Sequence, residues 1–415
     1  MSAVVRPLVG VKVLEFSHFL AGPYAGLALA DLGADVIKVE DPAHPDEARS
    51  MGPFFCEGES LYFLSLNWAK RSLALRLKSA EGRAALVRLA DTADVVLENY
   101  RPGVMAKLGL DHETLRRRNP RLVYCSLSGF GATGPYARHP GYDYTIQGLT
   151  GVMALAGDPE GPPTKAGISY VDHGGALAAA LAVTAALAGR ATSGVGAHID
   201  LGLVDVQISM LTYLASWQLN ASYVPRRMAD SAHPSLVPAQ NFQTSDGYLS
   251  LFVGNDGMWA RLVEEIGDEE LARPEYAARE GRARRRDELV ARLAGVFRTD
   301  TAAHWATRLA GAGVACAPVN DLAAALEDPH VVARGLLSTA KHPEYGTYRH
   351  SRGPVPSLSA PGPEPAPTLG EHSAEVLGEA GYSRSEIEAL AEEGVVHLPG
   401  HDRTADRQRS TRRTP

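Results

Sequence analysis

Apolar and polar positions alternate in blocks over the first half of the chain, where short apolar runs are separated by longer Ala- and Leu-rich segments. The short runs predict strands over 11–16, 34–40, 72–77, 94–100, 122–130 and 197–201, and the longer segments predict helices over 23–32, 81–90, 176–188 and 205–220. This alternation predicts an α/β fold with a parallel sheet covered by helices on both faces. Ligands of such sheets bind beyond the carboxyl ends of the strands, which points to the segments after Phe16, Glu40 and Glu98.

The pattern changes after residue 222. Residues 223–246 hold Pro, Arg, His and Ser without a clear period, and they are predicted to be a linker. A second αβ region over 247–325 follows, with strand-like runs at both of its ends and helical runs between them. Beyond about 330 the pattern weakens into Pro-rich loops and one further helix. The Arg-rich tail, 397–415, is predicted to be disordered because it has almost no apolar residues.

Composition narrows the class of protein. A chain of 415 residues with 45% hydrophobic and 21% charged residues is typical of a globular protein of two domains. The formal net charge of −7 gives no indication of nucleic acid or an acidic membrane surface as a partner. The start of the chain lacks a signal-peptide pattern, and no uninterrupted apolar run approaches membrane-spanning length, so we expect a cytoplasmic protein without a membrane partner.

Cysteine and histidine spacing predicts no metal site. Cys56, Cys125 and Cys316 lie far apart and form neither a C-x-x-C pair nor a cluster with histidines, so a disulfide framework and a zinc site are not expected. Cys125 lies in an apolar run and is interpreted as core packing.

Glycine-rich and basic segments indicate a phosphate-bearing ligand. The segment 129–134 matches G-x-G-x-x-G after a strand, but Pro135 follows and no apolar helix begins there, so it is predicted to be a loop and not a nicotinamide site. Basic residues lie near strand ends, where they and helix N–H groups hold phosphates well. They are Lys70, Arg71, Lys78, Arg101 and Lys107.

Asp172 lies directly ahead of the Ala-rich run 176–188, within a segment that also contains Gly174 and Gly175. Helix starts stabilise carboxylates, and glycines allow a bulky substrate to approach the backbone. The simplest interpretation of Asp172 is a helix N-cap, since aspartate is among the commonest capping residues. The local sequence leaves two interpretations of Asp172 open, a helix N-cap and a charged carboxylate that a substrate approaches.

Several motifs together resemble the class III CoA-transferases, a family that includes formyl-CoA, carnitine and succinyl-CoA-dependent transferases. The resemblance runs from about residue 8 to 395, and its motifs are 14–23, 32–40, 66–72, 98–103 and 141–147. It implies a Rossmann-like large domain built from 1–222 and 326–396, a small αβ domain over 247–325, and an interlocked homodimer. A return of the chain to the large domain explains the weak pattern beyond 330.

The resemblance also implies the site residues. Asp172 matches the family's nucleophile. The matched CoA contacts are Leu20, Ala21, Leu75, Lys78, Asn99, Tyr100, Arg101, Lys107, Pro140, Gly141 and Tyr142. We expect Gly174, Gly175 and the loop at Gly254 to supply N–H groups to oxyanions. The chain departs from formyl-CoA transferase in having Leu20 in place of a glutamine and Asp41 in place of an arginine.

The implied reaction moves CoA from an acyl-CoA to a carboxylic acid. An aspartate carboxylate attacks the thioester to give a mixed anhydride, which CoA then converts to an aspartyl-CoA thioester. CoA and acyl-CoA serve as substrates, and no tightly bound cofactor is implied. Arg226 and Arg227 are candidates for contacts with a second carboxylate of the acceptor, which would fit a dicarboxylate such as succinate.

Two alternatives stay open. A 2-methylacyl-CoA racemase needs a second base, and relatives of that kind have a histidine where this chain has Tyr142. A tyrosine, with an ordinary pKa of about 10, is a poor base at neutral pH, although His139 or His173 offers a substitute. A CoA-binding protein without catalysis would need no nucleophile.

Overall fold

The computed structural model describes residues 6–359 and 364–400. The chain forms two compact units. The first comprises the described residues of Met1–Thr150, Gly167–Leu211 and Ala333–Pro415, and the second comprises Gly151–Ala166 and Thr212–Val332. Each unit has a hydrophobic core of its own.

Thirteen strands occur in the described residues. They are β1 Lys12–Phe16, β2 Asp35–Glu40, β3 Phe55–Cys56, β4 Glu59–Ser60, β5 Arg71–Ala74, β6 Val95–Glu98, β7 Val123–Ser128, β8 His198–Gly202, β9 Ala239–Gln243, β10 Tyr248–Phe252, β11 Ala315–Pro318, β12 Leu337–His342 and β13 Gly346–Ser351.

Helices connect these strands. They are α1 Ala21–Asp31, α2 Leu61–Asn67, α3 Ala80–Ala90, α4 Val104–Leu108, α5 His112–Arg118, α6 Asp143–Leu149, α7 Tyr170–Ser193, α8 Leu203–Met210, α9 Thr212–Ala221, α10 Asp256–Ile266, α11 Arg279–Arg284, α12 Arg286–Phe297, α13 Ala302–Gly311, α14 Leu322–Glu327, α15 Pro329–Ala333, α16 Ser373–Glu379 and α17 Arg384–Glu392. Short 3-10 turns occur at Glu47–Ser50, Val152–Ala154, Ala229–Ser231 and Pro274–Tyr276.

The first unit is built on a six-stranded sheet in the order β5-β2-β1-β6-β7-β8. All neighbouring strands in it are parallel. The predicted parallel sheet is therefore confirmed, and its order is that of doubly wound nucleotide-binding folds. The strand order reverses between β1 and β6, where Val13 pairs with Val95 and Phe16 with Glu98. A crevice forms at such a reversal, beyond the carboxyl ends of the two strands.

Helices cover both faces of this sheet. One face packs on α1 and α7 through residues such as Val36 and Leu97. The other face packs on α3, α16 and α17 through residues such as Leu86 and Leu377. The end of the described chain also joins this unit, because Val396 forms a bridge with Leu75.

The second unit contains a three-stranded antiparallel sheet, in the order β11-β10-β9. Its core includes Leu249, Trp259 and Phe297. Arg282 is fully buried there, where its guanidinium donates to Asp256 and to the carbonyl oxygen of Val237.

Several predicted boundaries differ from these units. The region 223–246 is not purely a linker, because it contains β9 and the buried side chains of Val237 and Phe242. The predicted helix over 205–220 is two helices, separated where Thr212 adopts a φ of 37°. Residues 151–166 and 212–222 belong to the second unit and not to the first.

The predicted disordered tail begins too early, because the backbone N–H of His397 donates to the carbonyl oxygen of Ala74 across 3.0 Å. This backbone hydrogen bond extends the order of the first unit to His397, five residues beyond the end of α17 at Glu392. The rest of that prediction, 401–415, lies outside the described residues.

Helix α7 bears on the expectation about membrane-spanning segments. It has 24 residues and a mean hydropathy of 1.4 over its most apolar window, which is long and apolar enough to cross a membrane. Asp172, Thr184 and Arg190 interrupt its apolar residues, so the helix holds no uninterrupted apolar run of that length. Length and composition alone are weak evidence for a membrane span, because core helices pass the same test. One face of α7, with Val171, Ala176 and Val183, is buried in the first unit.

Candidate active site

A pocket of about 290 Å³ opens in the first unit at the reversal of strand order. Its walls come from the segments after β1, β6 and β7, from the loop before α6, and from the first turns of α7 and α8. The lining residues are His18, Phe19, Leu20, Ala21, Asn99, Tyr100, Arg101, Pro102, Leu127, Ser128, Gly129, Phe130, Ala137, His139, Pro140, Gly141, Tyr142, Asp172 and Leu203. The pocket therefore brings Asp172 together with eight of the predicted CoA contacts. Those eight are Leu20, Ala21, Asn99, Tyr100, Arg101, Pro140, Gly141 and Tyr142.

Asp172 lies in the first turn of α7, and it is not the N-cap. The helix begins at Tyr170 with Ser169 as its N-cap, and Ser169 makes no side-chain capping bond. The backbone N–H of Val171 donates instead to the Oδ1 atom of Asp143 across 3.0 Å. Asp143 is buried and also accepts from Gln147 across 2.8 Å, so α6 holds the start of α7. The half-buried carboxyl of Asp172 is thus presented from a fixed helical turn.

Gly174 and Gly175 lie inside α7. N–H groups at those positions bond to carbonyl oxygens four residues earlier, so they are not available to an oxyanion. Their small size serves packing, because a Cβ on Gly175 would come within 2.2 Å of Leu203 and one on Gly174 within 3.1 Å of Met210. The two glycines let α8 approach the helix that carries Asp172.

The loop after β1 is fixed by the loop after β6. The side chain of Asn99 accepts from the backbone N–H of His18 and donates to the His18 carbonyl oxygen, both across 2.9 Å. The Nε2 atom of His18 lies 3.1 Å from the Tyr100 hydroxyl. Gly22 permits this arrangement, since a Cβ there would lie 2.9 Å from the Cγ of Asn99. Asn99 therefore shapes the pocket as well as lining it.

Two glycines bring the remaining walls together. A Cβ on Gly141 would lie 2.6 Å from the Cα of Gly129, and one on Gly129 would lie 2.5 Å from the Cα of Gly141. The end of β7 and the loop before α6 are consequently in backbone contact. Tyr142 follows directly, and its ring makes an edge contact with Phe19 at a centroid distance of 6.1 Å. The segment 129–134 forms a loop with no helix at its end, as predicted.

Electrostatics at the pocket follow from burial and from a few charges. Burial raises the pKa of Tyr62, and the negative charge of Asp172 raises it further. The Tyr62 hydroxyl is therefore close enough to interact electrostatically with the Asp172 carboxylate. Burial lowers the pKa of His18 and so favours the neutral imidazole, although the charge of Asp46 opposes this shift. Burial raises the pKa of Glu98, at the end of β6, to about 7.

Six predicted site residues do not line the pocket. Gly174 and Gly175 are inside α7, the Leu75 side chain is fully buried in the core, and Lys78 and Lys107 are exposed on the first unit. Gly254 belongs to the second unit, between β10 and the Asn255 cap of α10.

Arg227, in the second unit, donates to the carbonyl oxygens of Asp158, Gly161 and Pro162 and thereby holds a loop. These bonds all come from its Nη1 atom, so Arg227 supports this loop, and its contact with an acceptor carboxylate stays a prediction.

Sequence reasoning missed part of the lining. Ser128, Phe130 and Leu203 lie at the pocket, as does His139, which the sequence offered only as an alternative base. Ser128 and Leu203 lie at the carboxyl ends of β7 and β8, so the strand-end rule that selected Asn99 would have found them too. In the part of the chain that the structure describes, no group of three His, Cys, Asp or Glu residues is placed to hold a metal ion.

Comparisons with known proteins agree with this fold. A family model, CoA-transferase family III, matches residues 8–373. The succinate–glutarate CoA-transferase of Agrobacterium fabrum is 41% identical over 90% of this chain and 95% of its own length. The acetyl-CoA:oxalate CoA-transferase of Acetobacter aceti is 38% identical over 80% of this chain and 85% of its own. A CAIB/BAIF family protein from Brucella suis, solved by crystallography, superposes with a TM-score of 0.79 at 38% identity, covering 90% of this chain and 99% of its own.

Proposed function

The chain belongs to CoA-transferase family III and is a CoA-transferase, and from this premise we propose that it moves CoA from succinyl-CoA to a dicarboxylic acid, with Asp172 as the nucleophile. One observation carries the proposal of the nucleophile. Among the described residues that line the pocket at the reversal of strand order, Asp172 is the only carboxylate. The dicarboxylate class is supported by relatives whose names give succinate with glutarate, and oxalate.

The reaction proceeds through three enzyme-bound intermediates, an anhydride with the donor acid, an aspartyl-CoA thioester and an anhydride with the acceptor acid. The Asp172 carboxylate attacks the thioester carbonyl of the donor, CoA thiolate leaves, and an acyl-aspartyl anhydride forms. The thiolate then attacks the aspartyl carbonyl, which releases the donor acid and leaves an aspartyl-CoA thioester. The acceptor carboxylate attacks that thioester, and CoA thiolate returns to the acceptor's carbonyl to restore the free carboxylate of Asp172.

Local geometry supports this use of Asp172. Its place in the first turn of α7 favours the charged carboxylate, since the N-terminal end of a helix carries partial positive charge. The apolar walls formed by Leu127, Phe130 and Leu203 limit the water that reaches an anhydride. The loops after β1 and β6, which match the family's CoA contacts, are braced by Asn99 and supply the surface for CoA.

The proposal is tested with a panel of acyl-CoA donors and acids, read by mass spectrometry. We expect succinyl-CoA with glutarate or another dicarboxylate to give the highest kcat/KM, and Asp172→Asn to lose at least about a thousandfold in kcat, as expected for loss of a nucleophile. When the acceptor carries 18O in its carboxyl groups, one 18O passes to Asp172 and then to the donor acid that is released in a later turnover. Transfer by Asp172→Asn at the wild-type rate, or absence of 18O from the released donor acid, would refute the proposed route.

A second candidate, 2-methylacyl-CoA racemase, is favoured by one observation, namely that His139 lines the same pocket as Asp172. Racemisation moves an α-proton between two bases, and a histidine is a suitable partner for a carboxylate. His173, the other alternative, has its Nδ1 atom 2.8 Å from the Ser169 carbonyl oxygen and its ring against Tyr24. Deuterium uptake from D₂O at the α-carbon of a branched acyl-CoA would establish the racemase, and its absence together with CoA transfer would exclude it.

An interlocked homodimer is proposed because the family resemblance implies it. A protein contact is supported by exposed apolar side chains on α7 and α8, where Leu181 is 70% and Ile208 50% exposed. The cytoplasmic location is proposed from the sequence alone. Light scattering tests the dimer, which should persist on dilution because interlocked chains cannot separate while folded. A monomer at micromolar concentration would contradict it.

A further inference from the structure

We propose that Asp46 is a positioning residue for CoA transfer, because it holds Phe19 in a left-handed conformation and thereby fixes the wall of the Asp172 pocket that residues 18–21 form. This inference rests on the proposed function, since it assigns the pocket to the reaction. Asp46 does not itself line the pocket. It acts through the backbone N–H of Phe19.

Phe19 has an unusual backbone conformation. Its φ is 61°, a value that large side chains rarely adopt. The residue lies between the end of β1 and the first residue of α1, Ala21, so this φ sets the direction in which the chain leaves the sheet and enters the helix. Residues kept in such conformations are over-determined by their surroundings and concentrate at functional sites.

Asp46 supplies the bond that holds Phe19. Its Oδ1 atom accepts from the backbone N–H of Phe19 across 3.0 Å and from Ala48 across 3.0 Å. Its side chain is fully buried, and its Oδ2 atom lies 2.9 Å from the Nζ atom of the equally buried Lys38. A hydrogen bond from an N–H to a charged carboxylate is stronger than one to a neutral acceptor.

Lys38 bonds to the backbone of Ser17, the residue before His18. Its Nζ atom donates to the carbonyl oxygen of Ser17 across 2.8 Å and lies 3.5 Å from Glu15. One buried ion pair therefore bonds to the backbone on both sides of His18. Asn99 holds His18 itself from the other side of the pocket. Among these groups, the carboxylate of Asp46 is the one that bonds to Phe19.

The conformation of Phe19 matters to the pocket in two ways. Its ring meets Tyr142 on the opposite wall, so a change at φ moves that contact. It also sets the position of Leu20 and Ala21, which line the pocket beside Asp172. A turn that relaxes to negative φ should therefore widen the pocket, weaken the hold on the acyl-CoA and admit water to the anhydride.

A double-mutant cycle tests the inference, with KM for succinyl-CoA, kcat, and the ratio of thioester hydrolysis to transfer as readouts. Asp46→Asn keeps the shape of the side chain but removes the charge, and we expect about a tenfold loss in kcat/KM with a higher hydrolysis ratio. Glycine adopts positive φ without strain, so in the Phe19→Gly background the same Asp46→Asn change should cost less than about twofold. An equal loss in both backgrounds would show that Asp46 serves stability alone and would overturn the inference.

A second series applies even where Asp46→Asn fails to fold. Asparagine tolerates positive φ far better than a β-branched residue, so Phe19→Asn should keep at least about fivefold more kcat/KM than Phe19→Val. Equal activities of these two variants would overturn the inference. Ala69→Val is the matched control, because Ala69 has a φ of 59° and lies outside the pocket; it should lower Tm and leave KM unchanged. If the proposed function is wrong, turnover persists in Asp172→Asn, and this result is distinct from the outcomes of the Asp46 and Phe19 variants.

Discussion

Asp143 accepts a hydrogen bond from the backbone N–H of Val171 across 3.0 Å, and this bond joins α6 to the turn of α7 that carries Asp172. Asp143 is 4% exposed, so its carboxylate is shielded from water as well as fixed. The side chain that performs the role of a cap on α7 thus belongs to a residue 28 positions earlier in the chain.

Removal of this acceptor should affect both stability and turnover. Asp143→Ala leaves a buried N–H without its acceptor, and we expect a loss of about 1–2 kcal/mol in the free energy of unfolding. Because the first turn of α7 then loosens, kcat should fall more than KM rises. Asp143→Asn retains one acceptor oxygen and should show a smaller loss in both quantities, measured by denaturant unfolding and steady-state kinetics. Equal kinetics in Asp143→Ala and the wild type would argue that α7 is held by other contacts.

The contact between Gly129 and Gly141 predicts a defect in CoA binding. Gly141→Ala places a Cβ 2.6 Å from the Cα of Gly129 and 3.1 Å from the Phe130 ring, so the loop before α6 must move. We expect the Kd for CoA, measured by calorimetry, to rise at least about tenfold, since a shift of about 1 Å at a binding wall is costly.

Gly189→Ala is the matched control for that change. No atom lies within 4 Å of a Cβ at Gly189, which is inside α7 and away from the pocket. Alanine there should stabilise the helix by about 0.5–1 kcal/mol and leave the Kd unchanged. A normal Kd in Gly141→Ala would mean that the two loops are not a wall of the CoA site.

Glu98 predicts a pH dependence of stability. Burial raises its pKa from the ordinary 4.5 to about 7, although bonds from Ser126 and the backbone N–H of Tyr100 oppose the shift. A raised carboxyl pKa means that the folded state favours the neutral form, so the stability contributed by Glu98 is complete below pH 4.5 and is lost as pH rises through 7. Above pH 8 the charged form costs about 3 kcal/mol relative to the neutral form.

Glu98→Gln removes this titration while it keeps the shape of the side chain. Its free energy of unfolding relative to the wild type should increase between pH 5 and pH 8, by up to about 3 kcal/mol. Urea unfolding at the two pH values provides the measurement. If the free energies of unfolding of the variant and the wild type differ by the same amount at pH 5 and pH 8, Glu98 is already ionised in the folded protein at pH 5.

The sequence predicts the sheet and the edge at which the pocket opens, because alternating strands and helices leave few topologies open. The sequence predicts less about the contacts that fix the walls of the pocket. Asp46 lies 27 residues from Phe19, and no local pattern connects them. The local sequence predicts Gly174 and Gly175 as oxyanion donors because it does not reveal that α7 begins at Tyr170, where Asp143 stabilises the first turn. The proposal that Asp172 is the nucleophile rests on the family resemblance, since the local sequence fits a helix cap equally well.

The central claim, that Asp172 carries the transferred group, is tested most directly by trapping. The wild-type protein is incubated with succinyl-CoA in the absence of an acceptor and treated with borohydride, which reduces a thioester to an alcohol. Peptide mass mapping should then find the side chain of Asp172 reduced to a primary alcohol, and it should find no such change in protein treated without succinyl-CoA. Reduction at another carboxylate, or an unmodified Asp172 in protein that transfers CoA at full rate, would contradict the account.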